Sequence, residues 1–587
     1  MQKLIVCACL FAIHAAAAAE TVMLETIAEQ SGFSRTGRYE EVGRLCEAFA
    51  RTWTDHVRCV EFGRSPEGRV MLALVVTKSG ALNPQEAHKM GIPVMFMQGG
   101  IHAGEIDGKD AGFLAVREML EGKTAPRALE SVVLVFVPVL SVDGHERFGR
   151  WNRPNQNGPE ETGWRATAQN LNLNRDYTKV DARETRALLR LLDAWDPILY
   201  VDLHVTDGAQ FEHDVANLAE PIYVGDPQLQ PAGRALLREL NDKLTAQGSL
   251  PLDFYPALVE IDNPASGFTV QAQTPRYSTG YWPLRNRYAV LVETHSWKDY
   301  ATRVRITRNT IVNLAEMTAR QGREWMTLAR AADERARHLG GEAVALEYDN
   351  GPNVRRIDFR GYAYTRKPSP ISGGTVTHYD ASKPLIWHVP LRDTVIVKTA
   401  VRAPRGGYLI PSAHAAWIAE RLAVHGIEFS LIDRALDGHE VEAFRATQAT
   451  FATAPSEGRT TARFEGRWQP ERRDVPAGSL YVPVGQPKAR LVMALLEPQG
   501  TDSFAAWGFF NAAFEIKEYM EPYVAEQVAE EMLAKNPATA AEFKRRLAED
   551  PEFAKSPEAR LEFFFRRHPA WDERRDLYPV FRANAAP

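Results

Sequence analysis

The sequence predicts an α/β domain with a mixed, largely parallel sheet and helices on both faces, followed by a C-terminal accessory region of strands and helices. Two observations carry this expectation. Apolar runs of strand length recur without strict polar alternation, as strands covered on both faces require. Segments of helical spacing separate those runs, which is the order of βαβ units.

In chain order, Tyr39 to Trp53 has a helical pattern and Val57 begins a strand. Val70 to Thr77 and Pro93 to Gln98 are strand-length apolar runs, and Asp107 to Leu120 has helical spacing. Ser131 to Leu140 reads as a buried strand, Thr185 to Ala194 as a helix and Ile198 to Leu203 as a strand. Helix returns at Pro231 to Gln247, and Tyr288 to Glu293 is a last apolar strand. A long helical stretch from Thr307 to His338 ends at Gly340-Gly341, where a domain boundary is placed. Residues 342 to about 410 are short strand-like runs broken by Pro and Gly, followed by a helix at Ser412 to Val424 and a strand at Glu428 to Ile432. The charged tail reads helical at Val524 to Leu533, Ala538 to Leu547 and Glu558 to Arg567. With 587 residues the chain exceeds what one core organises, so residues 20–340 and 341–587 are read as separate regions.

The first 19 residues read as a signal peptide. Lys3 supplies the positive start, Leu4 to Ile13 the apolar run, and Ala15 to Ala19 the small-residue cleavage site. That run is shorter than the ~20 apolar residues a membrane span needs. The expectation is therefore export to the periplasm or the outside, without stable membrane insertion. Cys46 and Cys59 remain after cleavage. Export permits a disulfide, and the sequence leaves a bridge and two buried thiols equally open. A net charge of −5, with no basic clustering, offers nothing to nucleic acid.

The sharpest string is Gln98-Gly99-Gly100-Ile101-His102-Ala103-Gly104-Glu105, directly after a predicted strand. Imidazole nitrogen and carboxylate oxygen are ligand types that catalytic zinc accepts. The same H-x-x-E spacing occurs at His425/Glu428 and His439/Glu442. Only His102 follows a buried strand through a Gly-Gly turn, at the strand edge where open α/β sheets place their sites. His204 ends the run Ile198 to Leu203, again at a strand end, and serves as the third ligand candidate. Glu293 ends another apolar strand, where a carboxylate is costly unless used; beside a metal it would act as a base. Asn174 and Arg175 follow in Asn170-Leu171-Asn172-Leu173-Asn174-Arg175, where a guanidinium fork suits a carboxylate. The chain lacks H-E-x-x-H, G-x-S-x-G and P-loop strings.

Together these pieces resemble the zinc carboxypeptidase family, over about residues 36 to 300. The matching strings are Phe62 to Arg69, His102-x-x-Glu105, Val142-Asp143-Gly144, Asn174-Arg175, His204 and Glu293, in the family's order. The resemblance implies one zinc ion on His102, Glu105 and His204, and Glu293 as the general base. It implies Asn174 and Arg175 as the holders of a peptide substrate's free carboxylate. It also implies an arginine for the oxyanion, for which Arg165 fits the local pattern and Arg153 the spacing, and a substrate-capping tyrosine, for which Tyr277 and Tyr281 both qualify. Where the family commonly has an aspartate bonded to a ligand histidine, this chain has Asn172, an acceptor without the charge. The same zinc site would serve a cell-wall peptide hydrolase or an amide deacylase. A reading of another class, a zinc-free protein gripping carboxylated ligands, has the complete ligand set and Glu293 against it. For residues 341–587 the expectation is an accessory region that shields or narrows the cleft.

Overall fold

A computed structural model describes residues 23–587; the signal-peptide reading lies outside the described residues. The strands of the central sheet are β1 (Val57–Arg64), β2 (Val70–Val76), β3 (Val94–Gln98), β4 (Val133–Val137), β5 (Leu199–Thr206), β6 (Val215–Glu220), β7 (Pro251–Leu252) and β8 (Tyr288–His295). They lie in the order β1-β2-β4-β3-β5-β8-β6-β7. The central four, β4-β3-β5-β8, are parallel, while β1, β2 and β6 join antiparallel. The sheet is mixed with a parallel centre, as its uninterrupted apolar strands require.

Alternation along these strands divides the core in two. Met95, Met97, Val201, Val290 and Val292 face helices α1 (Tyr39–Thr52), α2 (Asp107–Leu120) and α4 (Gln230–Ala246), together with the long helix α5 (Tyr300–Arg337). Phe96, Val135, Tyr200 and Ala289 face the other way, against α3 (Arg183–Trp195) and the C-terminal region. Ile410, Ile418, Leu422 and Val482 belong to this second core, which is therefore continuous across residue 340.

Helix α5 starts at Tyr300, earlier than the apolar spacing indicates, because Asp299 caps it by accepting from Thr302 N at 2.8 Å. Residues 342–410 form longer strands than expected. Arg355–Pro368 and Thr375–Arg392 pair as one extended hairpin whose exposed positions include several Arg, Lys, His and Thr. Half-solvated and interrupted by Pro384 and Pro390, these strands read in sequence as shorter runs than they are. A second hairpin, Leu436–Phe451 with Ala462–Val475, was not anticipated, since its half-exposed strands are rich in Arg, Glu and Thr and lack an apolar run. Of the strand expected at Glu428 to Ile432, only Ser430–Leu431 pairs. Among the described residues no helix is long and apolar enough to cross a membrane.

Cys46 on α1 and Cys59 on β1 form a disulfide with their Cα atoms 5.3 Å apart. It closes a 13-residue separation, for which chain entropy gives about 3 kcal/mol. Replacing both cysteines by alanine is expected to lower the urea-unfolding free energy by roughly that amount, with the denaturant slope little changed. An unchanged midpoint would remove the bridge from the list of stabilising features.

Candidate metal centre and substrate cleft

Strand β3 ends in the turn Gln98-Gly99-Gly100. Gly100 has φ +57°, and a Cβ on Gly99 would stand 2.7 Å from the Pro138 carbonyl oxygen, so both positions need glycine. The chain then turns through His102, whose carbonyl accepts from Glu105 N at 2.9 Å. This turn presents both side chains beyond the carboxyl edge of the sheet. His204 comes from the end of β5 and Glu293 from the end of β8, paired as register partners. Parallel partners point to the same side, which sets the base candidate beside the third ligand candidate.

The donor atoms of His102, Glu105 and His204 all lie within 4.8 Å of one another, and the three residues are buried. His102 Nδ1 is 2.9 Å from Glu105 Oε1, and His204 Nδ1 is 2.8 Å from Glu105 Oε2. Two imidazole nitrogens and a carboxylate oxygen at this spacing fit catalytic zinc and leave room for a further ligand. The other ring nitrogens are held from outside. His102 Nε2 is 3.1 Å from Asn172 Oδ1, so the amide takes the place expected for it. His204 Nε2 lies 3.1 Å from Asp202 Oδ2, at ion-pair distance though off the axis of a good hydrogen bond. Asp202 is itself held by Gln98 Nε2 at 3.0 Å and Ser278 Oγ at 2.6 Å.

The electrostatics favour a cation here. Burial pushes His102 down to about 4. Burial acts the same way on His204, but Asp202, Glu105 and Glu293 outweigh it and hold its imidazolium well above the usual range. Glu105 sits well below the carboxylate range, since His102, Arg153 and His204 overcome its burial. Glu293 goes the other way: burial and the nearby Glu105, Asp202 and Asp207 push it up to about 8, against the pull of His204.

A cavity of about 430 Å³ opens over the three donor atoms, and its wall includes Glu293, Arg165, Asn174, Arg175, Arg276 and Tyr277. Arg175 makes no ion pair among the described residues; its Nη1 donates to the Asn174 carbonyl at 2.8 Å and its guanidinium lies 4.4 Å over the Tyr277 ring. Burial and the neighbouring Arg165 and Arg276 lower its affinity for its proton, against Tyr277 and Glu457. Asn174 Oδ1 is buried without a partner.

The alternatives left open by the sequence separate in space. Tyr277 stands on the cavity wall, whereas Tyr281, a turn later, is fully buried with its hydroxyl 2.9 Å from His425 Nδ1. Tyr281 is thus a core residue away from the cavity: Tyr277 is the extended residue before the short helix Ser278–Tyr281, whereas Tyr281 lies within that helix and packs inward. Arg165 Nη1 is 3.2 Å from Glu105 Oε1 with its side chain 42% exposed, and it lines the cavity. Arg153 Nη2 is 3.0 Å from the same oxygen but only 12% exposed. Sequence reasoning missed Asp202, Tyr255 and Asp207, the last two on the cavity wall. Asp202 had a signal, a carboxylate inside an apolar strand; Tyr255 and Asp207 sit in loops that carry none. No residue beyond 340 lines this cavity.

The Zinc carboxypeptidase family pattern matches residues 42–221. Over that stretch the chain is similar to a zinc carboxypeptidase domain. The matched stretch holds His102, Glu105, Asn174, Arg175 and His204 and stops before Tyr277 and Glu293. Carboxypeptidase 2 of Trichophyton tonsurans is 25% identical over 481 residues, spanning 76% of this chain and 79% of that one. Carboxypeptidase 2 of Trichophyton rubrum is 25% identical over 484 residues, with the same coverage. These matches are longer than the catalytic region alone. Among solved structures, a putative carboxypeptidase A from Shewanella denitrificans OS-217 is 16% identical with a TM-score of 0.36, covering 48% of this chain and 68% of that one. Carboxypeptidase A from Helicoverpa armigera is 16% identical with a TM-score of 0.35, covering 51% and 75%.

Within the matched stretch, Asp202 is placed to fix the orientation and basicity of His204. Asp202→Asn is expected to weaken zinc binding by about 10–100-fold, read by competition against a chelating dye. Affinity equal to the wild type would reduce Asp202 to a packing residue.

Proposed function

We propose that this chain is an exported metallocarboxypeptidase that removes C-terminal residues from peptides with a free carboxylate, using one zinc ion on His102, Glu105 and His204. The observation that carries the reading is Arg175, a half-buried guanidinium with no carboxylate partner, in the same cavity as the three donor atoms. An unpaired cation held there calls for an anion, and a planar fork matches a carboxylate. Asn174 and Tyr277 flank it and would complete the grip on the substrate's end.

When bound, zinc supplies Lewis acidity, polarising a carbonyl and bringing the pKa of water to roughly 7. Glu293 would take the proton from the attacking water and pass it to the departing amine nitrogen. Arg165, on the cavity wall, would face the carbonyl oxygen as negative charge grows there. Arg153, more deeply buried, would steady Glu105. The Cys46–Cys59 bridge supports export, since disulfides persist in oxidising compartments.

Arg175→Ala should lower kcat/KM on free-acid peptides roughly 100-fold, while zinc content stays the same. Equal losses on the same peptides blocked as C-terminal amides would overturn the proposed role of Arg175.

Glu293→Gln should lower kcat by roughly 10²–10⁴-fold with the metal retained. The base must be ionised to accept a proton, so kcat/KM should rise with pH through the pKa of Glu293. A cation nearby favours the carboxylate, so the acid limb of the zinc-loaded enzyme should lie below the value of about 8 that the protein surroundings alone give Glu293. A limb at 8 or above, or one that survives in Glu293→Gln, would argue for another base.

A further inference from the structure

The two segments that carry the carboxylate clamp are gripped from behind by the C-terminal region. The first, residues 172–182, holds Asn174 and Arg175. Its Asn172 N donates to Glu457 Oε2 at 2.7 Å. Further along, Trp507 Nε1 donates to Thr178 Oγ1 at 3.0 Å, and Arg459 Nε donates to Asp181 Oδ2 at 2.6 Å. The second segment, residues 276–281, holds Tyr277. There Asp502, fully buried, accepts from Arg276 N at 2.8 Å and from Arg276 Nε at 2.6 Å. The Arg276 guanidinium also lies 4.7 Å over the Trp507 ring.

These contacts join at the site. Asn172 Oδ1 accepts from Asn174 N at 3.0 Å and stands 3.1 Å from His102 Nε2, so Glu457 anchors the residue that links the clamp to a ligand candidate. Asp502 fixes both the backbone and the side chain of the residue directly before Tyr277. Neither acid lines the cavity.

We infer that the C-terminal region builds the terminal-carboxylate pocket from outside, with Glu457 and Asp502 as positioning residues for Asn174–Arg175 and for Tyr277. The inference rests on the carboxypeptidase reading above. Its signature is a loss expressed in recognition of the free carboxylate, because Glu457 bonds only to the backbone of Asn172 and Asp502 only to Arg276, while His204 and Glu293 sit on the sheet and His102 and Glu105 on the turn after β3.

The test uses the full-length, zinc-loaded protein and the variants Glu457→Ala, Glu457→Gln and Asp502→Asn. Substrates are N-blocked dipeptides, and the competitors are one peptide as free acid and as C-terminal amide. Glu457→Ala and Asp502→Asn should raise KM about tenfold, with kcat within about twofold of wild type. They should weaken the free-acid competitor by the same factor and leave the amide unmoved. Glu457→Gln should restore near-wild-type KM, because its amide oxygen can accept the Asn172 N–H. Should Asp502→Asn fail to fold, the two Glu457 variants decide. A fall in kcat at constant KM, equal weakening of both competitors, or no change would overturn the inference. A wild type that binds acid and amide equally would instead overturn the carboxypeptidase reading itself.

Discussion

The site depends on one register. In the parallel pairing of β5 with β8, His204 lies opposite Glu293, and two residues earlier Asp202 lies opposite Leu291. On the other side of β5, Asp202 pairs with Gln98, the last residue of β3 before the turn to His102. A slip of one residue in either pairing would turn these side chains to the opposite face of the sheet. Buried, uninterrupted apolar strands hold that register firmly, and the polar groups at their carboxyl ends inherit its precision. This is why a site of five ionisable groups can stand on β-structure whose interior is almost wholly apolar.

The charges at the strand ends explain one another. Glu105 lies between two imidazoles and two guanidiniums, so its carboxylate is favoured despite burial. Glu293 has no cation of its own within salt-bridge distance among the described residues, and burial with like charges raises it. The two carboxylates thus differ in what surrounds them, and that difference separates a ligand candidate from a base candidate. Asn172 fits the same logic. It gives His102 an acceptor without charge, while the anionic partner stands on the other histidine as Asp202.

The sheet and the three donor residues were legible because buried parallel strands announce themselves as apolar runs. A polar residue at the end of such a run is conspicuous, as His204 and Glu293 are. The same kind of signal was present at Asp202, inside the run Ile198 to Leu203, but it was not read as part of the site. Tyr277 and Tyr281 could not be told apart, since sequence gives their spacing but not which one the packing turns inward. Arg153 and Arg165 lie in a loop rich in Gly, Asn and Pro, where spacing fixes no direction. The hairpin Leu436–Phe451 with Ala462–Val475 was hidden because half-exposed strands of Arg, Thr and Glu read as loop, and its connecting loop, Ala452 to Thr461, brings Glu457 onto Asn172, 285 residues away in sequence.

The face of the sheet that bears Gln98, Asp202, His204 and Glu293 is the face the C-terminal region helps to cover. That coincidence has a physical reason. Residues 176–182 bury Asp176, Thr178 and Lys179, polar groups that could not leave water without partners. Lys179 pairs with Asp176 inside the segment, but Thr178 is satisfied by Trp507 and His425, and Asp181 by Arg421 and Arg459, all from beyond residue 340. Buried ion pairs of this kind add little net stability, because desolvation offsets their attraction, yet removing one partner is costly. They therefore specify position more than they strengthen the fold. The catalytic region could not place its Asn174–Arg175 segment this deeply alone, and the cover that lets it do so also determines where Arg175 points.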